Sequence, residues 1–156
     1  MLNALQKKMI GHAFLVLFVG MCAGLGLTAS LLGGFEFIPG QITEMIVPGN
    51  TAAWARAHAG GILNALMVVG VALVLPGLGF SDKGASRIGW ILIGMGWANT
   101  VFYWAALFAP NRAISLASNH WGPANLASVI GLVPALVFAY LSLIAVAVIA
   151  YRALKK

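Results

Sequence analysis

Charge is scarce in this 156-residue chain: Asp, Glu, Lys and Arg together make up 8% of it. A soluble globule carries roughly 25%. Only three acids occur, Glu36, Glu44 and Asp82, against nine bases. Such a chain cannot dress its surface for water, which excludes an ordinary cytosolic enzyme. A hydrophobic fraction of 62% excludes a disordered chain as well. One cysteine, Cys22, rules out an intrachain disulfide, a Cys-x-x-Cys redox pair, a cysteine zinc cage and a Cys-x-x-Cys-His haem attachment. No nucleophile elbow, phosphate loop, dinucleotide fingerprint or His-Glu-x-x-His motif is present. All three acids sit at or outside the ends of apolar runs, so a carboxylate proton relay inside a membrane is not available. That counts against a proton-driven exporter.

Long apolar runs are what the chain has instead. A membrane-crossing helix needs about 20 apolar residues, and four stretches qualify: 10–32, 54–75, 88–109 and 124–151. They predict an all-α, four-helix transmembrane bundle formed as a single integral domain over 1–156. The first run follows Lys7 and Lys8, like a signal peptide, but is too long for one. No ten-residue alternation suggests a membrane β-barrel. Four crossings put both termini on one side, together with Lys7, Lys8, Lys83, Arg87, Arg152, Lys155 and Lys156. Arg56 and Arg112 fall on the other. This bias predicts cytoplasmic termini in a multi-pass protein of a bacterial inner membrane. The net charge of +6 therefore reflects topology, and no nucleic-acid partner is expected. The connection 33–53 is too apolar for a free loop, with Phe35, Phe37, Ile38, Ile42, Met45, Ile46 and Val47 between Pro-Gly breakers. It is expected on the membrane interface or over the outer mouth of the bundle. Gly20 with Gly24, and Ala57 with Gly61, form small-residue faces suited to close helix packing.

Within hydrocarbon the polar residues are the informative ones. The second run enters from outside and carries Arg56, His58 and Asn64 in its outer half. The third exits outward and carries Asn99 and Tyr103 in its outer half. Asn111, Arg112, Asn119 and His120 follow in the outer loop. Antiparallel helices thus bring their polar residues to one depth. His58 lies in Ala57-His58-Ala59-Gly60-Gly61, where small neighbours leave a flat clearing for a porphyrin beside an imidazole able to ligate iron. The plain alternative is an interfacial histidine bonded to a carbonyl or to water. Arg56 is placed to pair with a haem propionate, or to anchor at the headgroups. His12, near the cytoplasmic face, and His120, in a polar loop beside Trp121, lack such a clearing. No two histidines on different runs share a depth, which disfavours a two-histidine electron-transfer haem. Asn99, Tyr103 and Met95 share one helix face. Asn64 is about 120° around the helix from His58, so the two face different neighbours, as in a site shared between protomers.

These residues resemble the styrene oxide isomerase family, small membrane enzymes of styrene degradation. The resemblance runs along nearly the whole chain. It is carried by Val47-Pro48-Gly49, Trp54-Ala55-Arg56-Ala57-His58 with Asn64, Val74-Leu75-Pro76, Gly79-Phe80-Ser81-Asp82-Lys83, Gly96-Trp97-Ala98-Asn99, Tyr103 and Pro110-Asn111-Arg112. At one position the pattern departs: the family has an aspartate just before the Gly-Trp-Ala-Asn block, where this chain has Met95. The resemblance implies a four-helix protomer, a homotrimer, and ferric haem b at protomer interfaces. His58 would be the axial iron ligand, with Arg56, Arg112 and Asn99 assigned to the cofactor. Asn64 and Tyr103 would be the catalytic pair in an epoxide pocket. The activity implied is conversion of aryl epoxides such as styrene oxide to aryl acetaldehydes by a 1,2-hydride shift, a Meinwald rearrangement. Trp97, Phe102 and Trp104 are candidates for the aryl pocket. The competing functions are a haem-carrying membrane anchor in electron transfer and a small four-helix transporter.

Overall fold

A computed structural model describes residues 1–155. It contains α1 (Ala4–Leu32), a hairpin of β1 (Gly34–Ile38) and β2 (Gln41–Glu44), α2 (Thr51–Val74), α3 (Asp82–Ala105) and α4 (Leu126–Leu154). The architecture is an all-α bundle with one small hairpin among the described residues. α1, α4, and α2 with the 3₁₀ turn that extends it are long and apolar enough to cross a membrane. α3 is less apolar, because it carries Lys83, Arg87, Asn99 and Thr100.

Each helix begins where a side chain can accept from its otherwise unpaired N–H groups. Asn3 accepts from Gln6, and Gln6 answers the Asn3 N–H, closing a capping box. Asn50 accepts from Ala53, Ser81 from Gly84, and Asn125 from Ser128. These caps explain why the helices outrun or stop short of the apolar stretches. Polar first turns extend α1 and α3 toward the end of the bundle that holds the termini. Pro76 tightens the end of α2 into a 3₁₀ turn at Leu75–Leu78. α3 ends at Ala105, four residues before its apolar stretch does, and Ala106–Ala109 run on as turns.

The tightest helix contact is α1 on α2. A Cβ on Gly20 would meet the Gly61 Cα at 3.0 Å, so the two backbones touch where both residues lack side chains. This is the close packing expected of the paired small residues. A buried cluster of Met9, Ala13, Val68, Ala72, Leu92 and Met95 joins α1, α2 and α3 toward the terminal end. A second, of Ala23, Ala53, Trp54, Ala57 and Leu107, closes the opposite end. α4 packs mainly on α3 and leaves most of its apolar surface exposed. The described parts of both termini lie at one end: Gln6 donates to the Ala72 carbonyl, and the Arg152 guanidinium stacks over Phe80.

The hairpin lies within 33–53, where the sequence predicts no strands. Pro39-Gly40 makes the turn, with Gly40 at φ +83°, and the flanking Phe, Ile and Thr residues suit strands. Phe37, Ile38, Ile42 and Ile46 are exposed. The hairpin touches α1 but is not buried over the mouth of the bundle.

Candidate functional site

His58 faces α1. Its Nδ1 lies 2.9 Å from the Gly20 carbonyl oxygen. A carbonyl only accepts, so Nδ1 carries the proton and Nε2 holds the unshared pair. Gly24 lies one turn further along α1, and a Cβ there would sit 2.9 Å from the imidazole. The ring is therefore held by a hydrogen bond on one edge and by a glycine on α1. The neighbours of His58 do a different job from the flat clearing expected of them. Gly61 is used against Gly20, and Gly60 receives the Tyr103 ring, since a Cβ on it would overlap that ring. Helical geometry turns successive residues by about 100°, so Gly60 and Gly61 serve two different neighbours.

Asn64 faces the other way, toward α3. It is 8% exposed, and its Oδ1 accepts from Asn99 Nδ2 at 3.3 Å. Asn99 Nδ2 also lies 3.3 Å from Met95 Sδ. Tyr103 stands one turn beyond Asn99 and packs on Gly60, one turn before Asn64. Asn64, Asn99, Met95 and Tyr103 thus line one seam, α2 on α3, while His58 lines the seam of α2 on α1. The 120° between His58 and Asn64 is realised as two separate seams, and within one protomer they do not converge. The Asn64 amide Nδ2 is buried with no partner. A buried donor left unpaired costs about 1–3 kcal/mol, so this one is a donor site waiting for an acceptor oxygen.

Two arginines share a cavity with Tyr103. Arg56, Arg112, Phe102, Tyr103, Ala106 and Ile114 line a cavity of about 240 Å³, and no acid lines it. Arg112 is held in place: it has φ 61°, its neighbour Ala113 has φ 55°, and its guanidinium stacks on Trp121. Two consecutive left-handed non-glycine residues cost on the order of 1–3 kcal/mol each and persist only when overdetermined. Asn111 does that. Fully buried, it donates to the Ser115 and Ala117 carbonyls and accepts from the Ala113 N–H and the Ser128 hydroxyl. By sequence alone Asn111 is a loop residue without this role. Its adjacency to Arg112 was the available signal.

The remaining candidates separate. His12 accepts from Trp97 Nε1 at 3.2 Å and sits against Trp90, toward the terminal end. Trp97 is therefore turned away from the Tyr103 region and is no part of its wall. His120 is exposed and stacks on Trp121. Phe102 lines the arginine cavity. Trp104 packs edge-on against Trp54 and borders an apolar cavity of about 450 Å³ with Val101, Phe108, Leu126 and Ile130.

Among the described residues no three of His, Cys, Asp and Glu gather to hold a bare metal ion. A porphyrin asks less of the chain, because it brings four nitrogens of its own. One held imidazole with a free Nε2, plus cations for two carboxylates, is a donor set that fits haem b.

An all-α bundle with helices of membrane-crossing character and two polar seams is the class defined by this fold. Residues 5–154 match the sequence model of the styrene oxide isomerase family. A styrene-oxide isomerase of Pseudomonas fluorescens is 49% identical over 155 residues, covering 99% of this chain and 92% of that protein. The chain belongs to the styrene oxide isomerase family, and it is an isomerase.

Proposed function

We propose that this protein is a membrane-bound isomerase that converts aryl epoxides, such as styrene oxide, to aryl acetaldehydes with ferric haem b. The substrate class follows from kinship with a styrene-oxide isomerase over nearly the whole chain. The observation that carries the haem assignment is the His58 ring, whose Nδ1–H is engaged by Gly20 and whose Nε2 is the nitrogen left to ligate. Arg56 and Arg112 would hold the propionates; Asn99, also assigned to the cofactor from the sequence, is engaged with Asn64 and Met95 on the α2–α3 seam. When bound, haem b supplies a ferric Lewis acid for the epoxide oxygen.

The chain's own groups do the rest. Tyr103 donates its hydroxyl hydrogen to the oxygen as charge develops there, and Asn64 offers its unpaired N–H to the same atom. The aryl ring spreads positive charge at the benzylic carbon once its C–O bond opens. A hydride then moves from the neighbouring carbon, giving the aldehyde. Water would trap the cation as a diol, so the low polarity of the bundle is part of the chemistry. His58 and Tyr103 line different seams of one protomer, which supports a site completed by a second copy, in a homotrimer. The bases gathered at the terminal end support cytoplasmic termini and four crossings in an inner membrane.

An absorption spectrum of the purified protein tests this reading. It should show a Soret band that shifts when styrene oxide is added, because His58 would be the single protein ligand and the iron would be free to take the substrate oxygen. A band characteristic of two histidine ligands and indifferent to epoxide would favour electron transfer instead.

A further inference from the structure

Which way round the Asn64 amide stands decides whether it offers a donor or an acceptor, and the α2–α3 seam settles this through two residues that need not touch substrate. Thioether sulfur accepts hydrogen bonds and donates none. Met95 Sδ, buried, therefore draws the N–H₂ side of Asn99 toward it. With Asn99 so turned, its second N–H meets Asn64 and requires the Asn64 carbonyl oxygen there. The Asn64 N–H₂ is left pointing elsewhere, buried and unpaired. Reversing both amides would set the Asn99 oxygen against sulfur, acceptor against acceptor, and leave the Asn64 oxygen as the orphan.

We propose that Met95 and Asn99 are positioning residues: Met95 sets the orientation of Asn99, and Asn99 sets Asn64 with its N–H toward the substrate. This rests on the proposed epoxide isomerisation and deepens it. A site polarised in this way favours ligands that present an acceptor oxygen, such as a cyclic ether or an aldehyde, and gains nothing from the oxygen-free hydrocarbon of the same shape. Met95 thus has a function in this chain without being ionisable.

The test uses the full-length, haem-loaded protein and styrene oxide. Asn99→Asp replaces the donor by an acceptor and obliges Asn64 to turn its N–H inward. It should lower kcat by about a hundredfold, with haem content and Soret position unchanged. Met95→Leu keeps the bulk and loses the acceptor, so it folds even where a new carboxylate disturbs packing; it should lower kcat several-fold. In an Asn64→Ala background neither change should add to the loss. Effects that multiply in that background, or a fall in haem content with Asn99→Asp, would overturn the relay. A readout independent of turnover separates its failure from that of the epoxide reading. In protein labelled with ¹⁵N-asparagine, the Asn64 side-chain amide signals should move in both single variants. Signals that stay in place refute the relay even in an active enzyme, and signals that move in a protein inert toward epoxides refute the substrate while leaving the relay standing.

Discussion

His58→Ala should leave the purified protein with almost no Soret absorbance and almost no epoxide turnover, while His12→Ala and His120→Ala keep both. The difference follows from what each ring nitrogen is doing. The Nδ1 of His58 is committed to the Gly20 carbonyl, which frees and aims Nε2. His12 is committed to Trp97 Nε1, and Gly20 stands eight residues further along α1, about 12 Å at 1.5 Å per residue. His120 is exposed in the loop. Absorbance per protein and pyridine haemochrome content check the outcome. A His58→Ala protein with a normal band would move the ligand elsewhere and undo the site.

Tyr103→Phe should retain haem and lose turnover, by about 10²–10³-fold, the range for removing one donor from a developing oxyanion. The ring itself is structural, because it fills the space that Gly60 leaves on α2, and phenylalanine preserves that packing. Only the hydroxyl goes. The loss should fall on kcat more than on KM, since the hydrogen bond strengthens as the C–O bond breaks. Equal haem content with unchanged kcat would remove Tyr103 from the reaction and leave it as a packing residue.

The sequence made the bundle legible because apolar length and polar depth are properties of single segments. Antiparallel helices put Asn64 and Asn99 at one level, and the structure joins them by a hydrogen bond. The small-residue faces of Gly20 with Gly24 and of Ala57 with Gly61 were readable as close packing for the same reason, and the structure brings Gly20 against Gly61. Contacts that depend on which face meets which neighbour were not legible. Gly60 next to His58 looked like room for a porphyrin, yet a rotation of about 100° per residue carries it round to Tyr103. Trp97 looked like pocket wall, yet its N–H finds His12 on α1. The hairpin was hidden by its exposed apolar residues, which in a chain this hydrophobic carry no clear period. Asn111 was one polar loop residue among several until its burial and its bonds to Ser115, Ala117 and Ser128 were known. The carbonyl holding His58 could not be read at all, because every residue has one.

The most direct test of the whole account is turnover of styrene oxide deuterated at its terminal carbon, with no electron donor or acceptor present. The protein should form phenylacetaldehyde at its full rate, and the migrated deuterium should remain in the product at the carbon next to the aldehyde. Dithionite should slow the reaction. A diol as product, deuterium lost to solvent, or a strict requirement for a reductant would contradict an isomerase that works by hydride migration in a dry pocket.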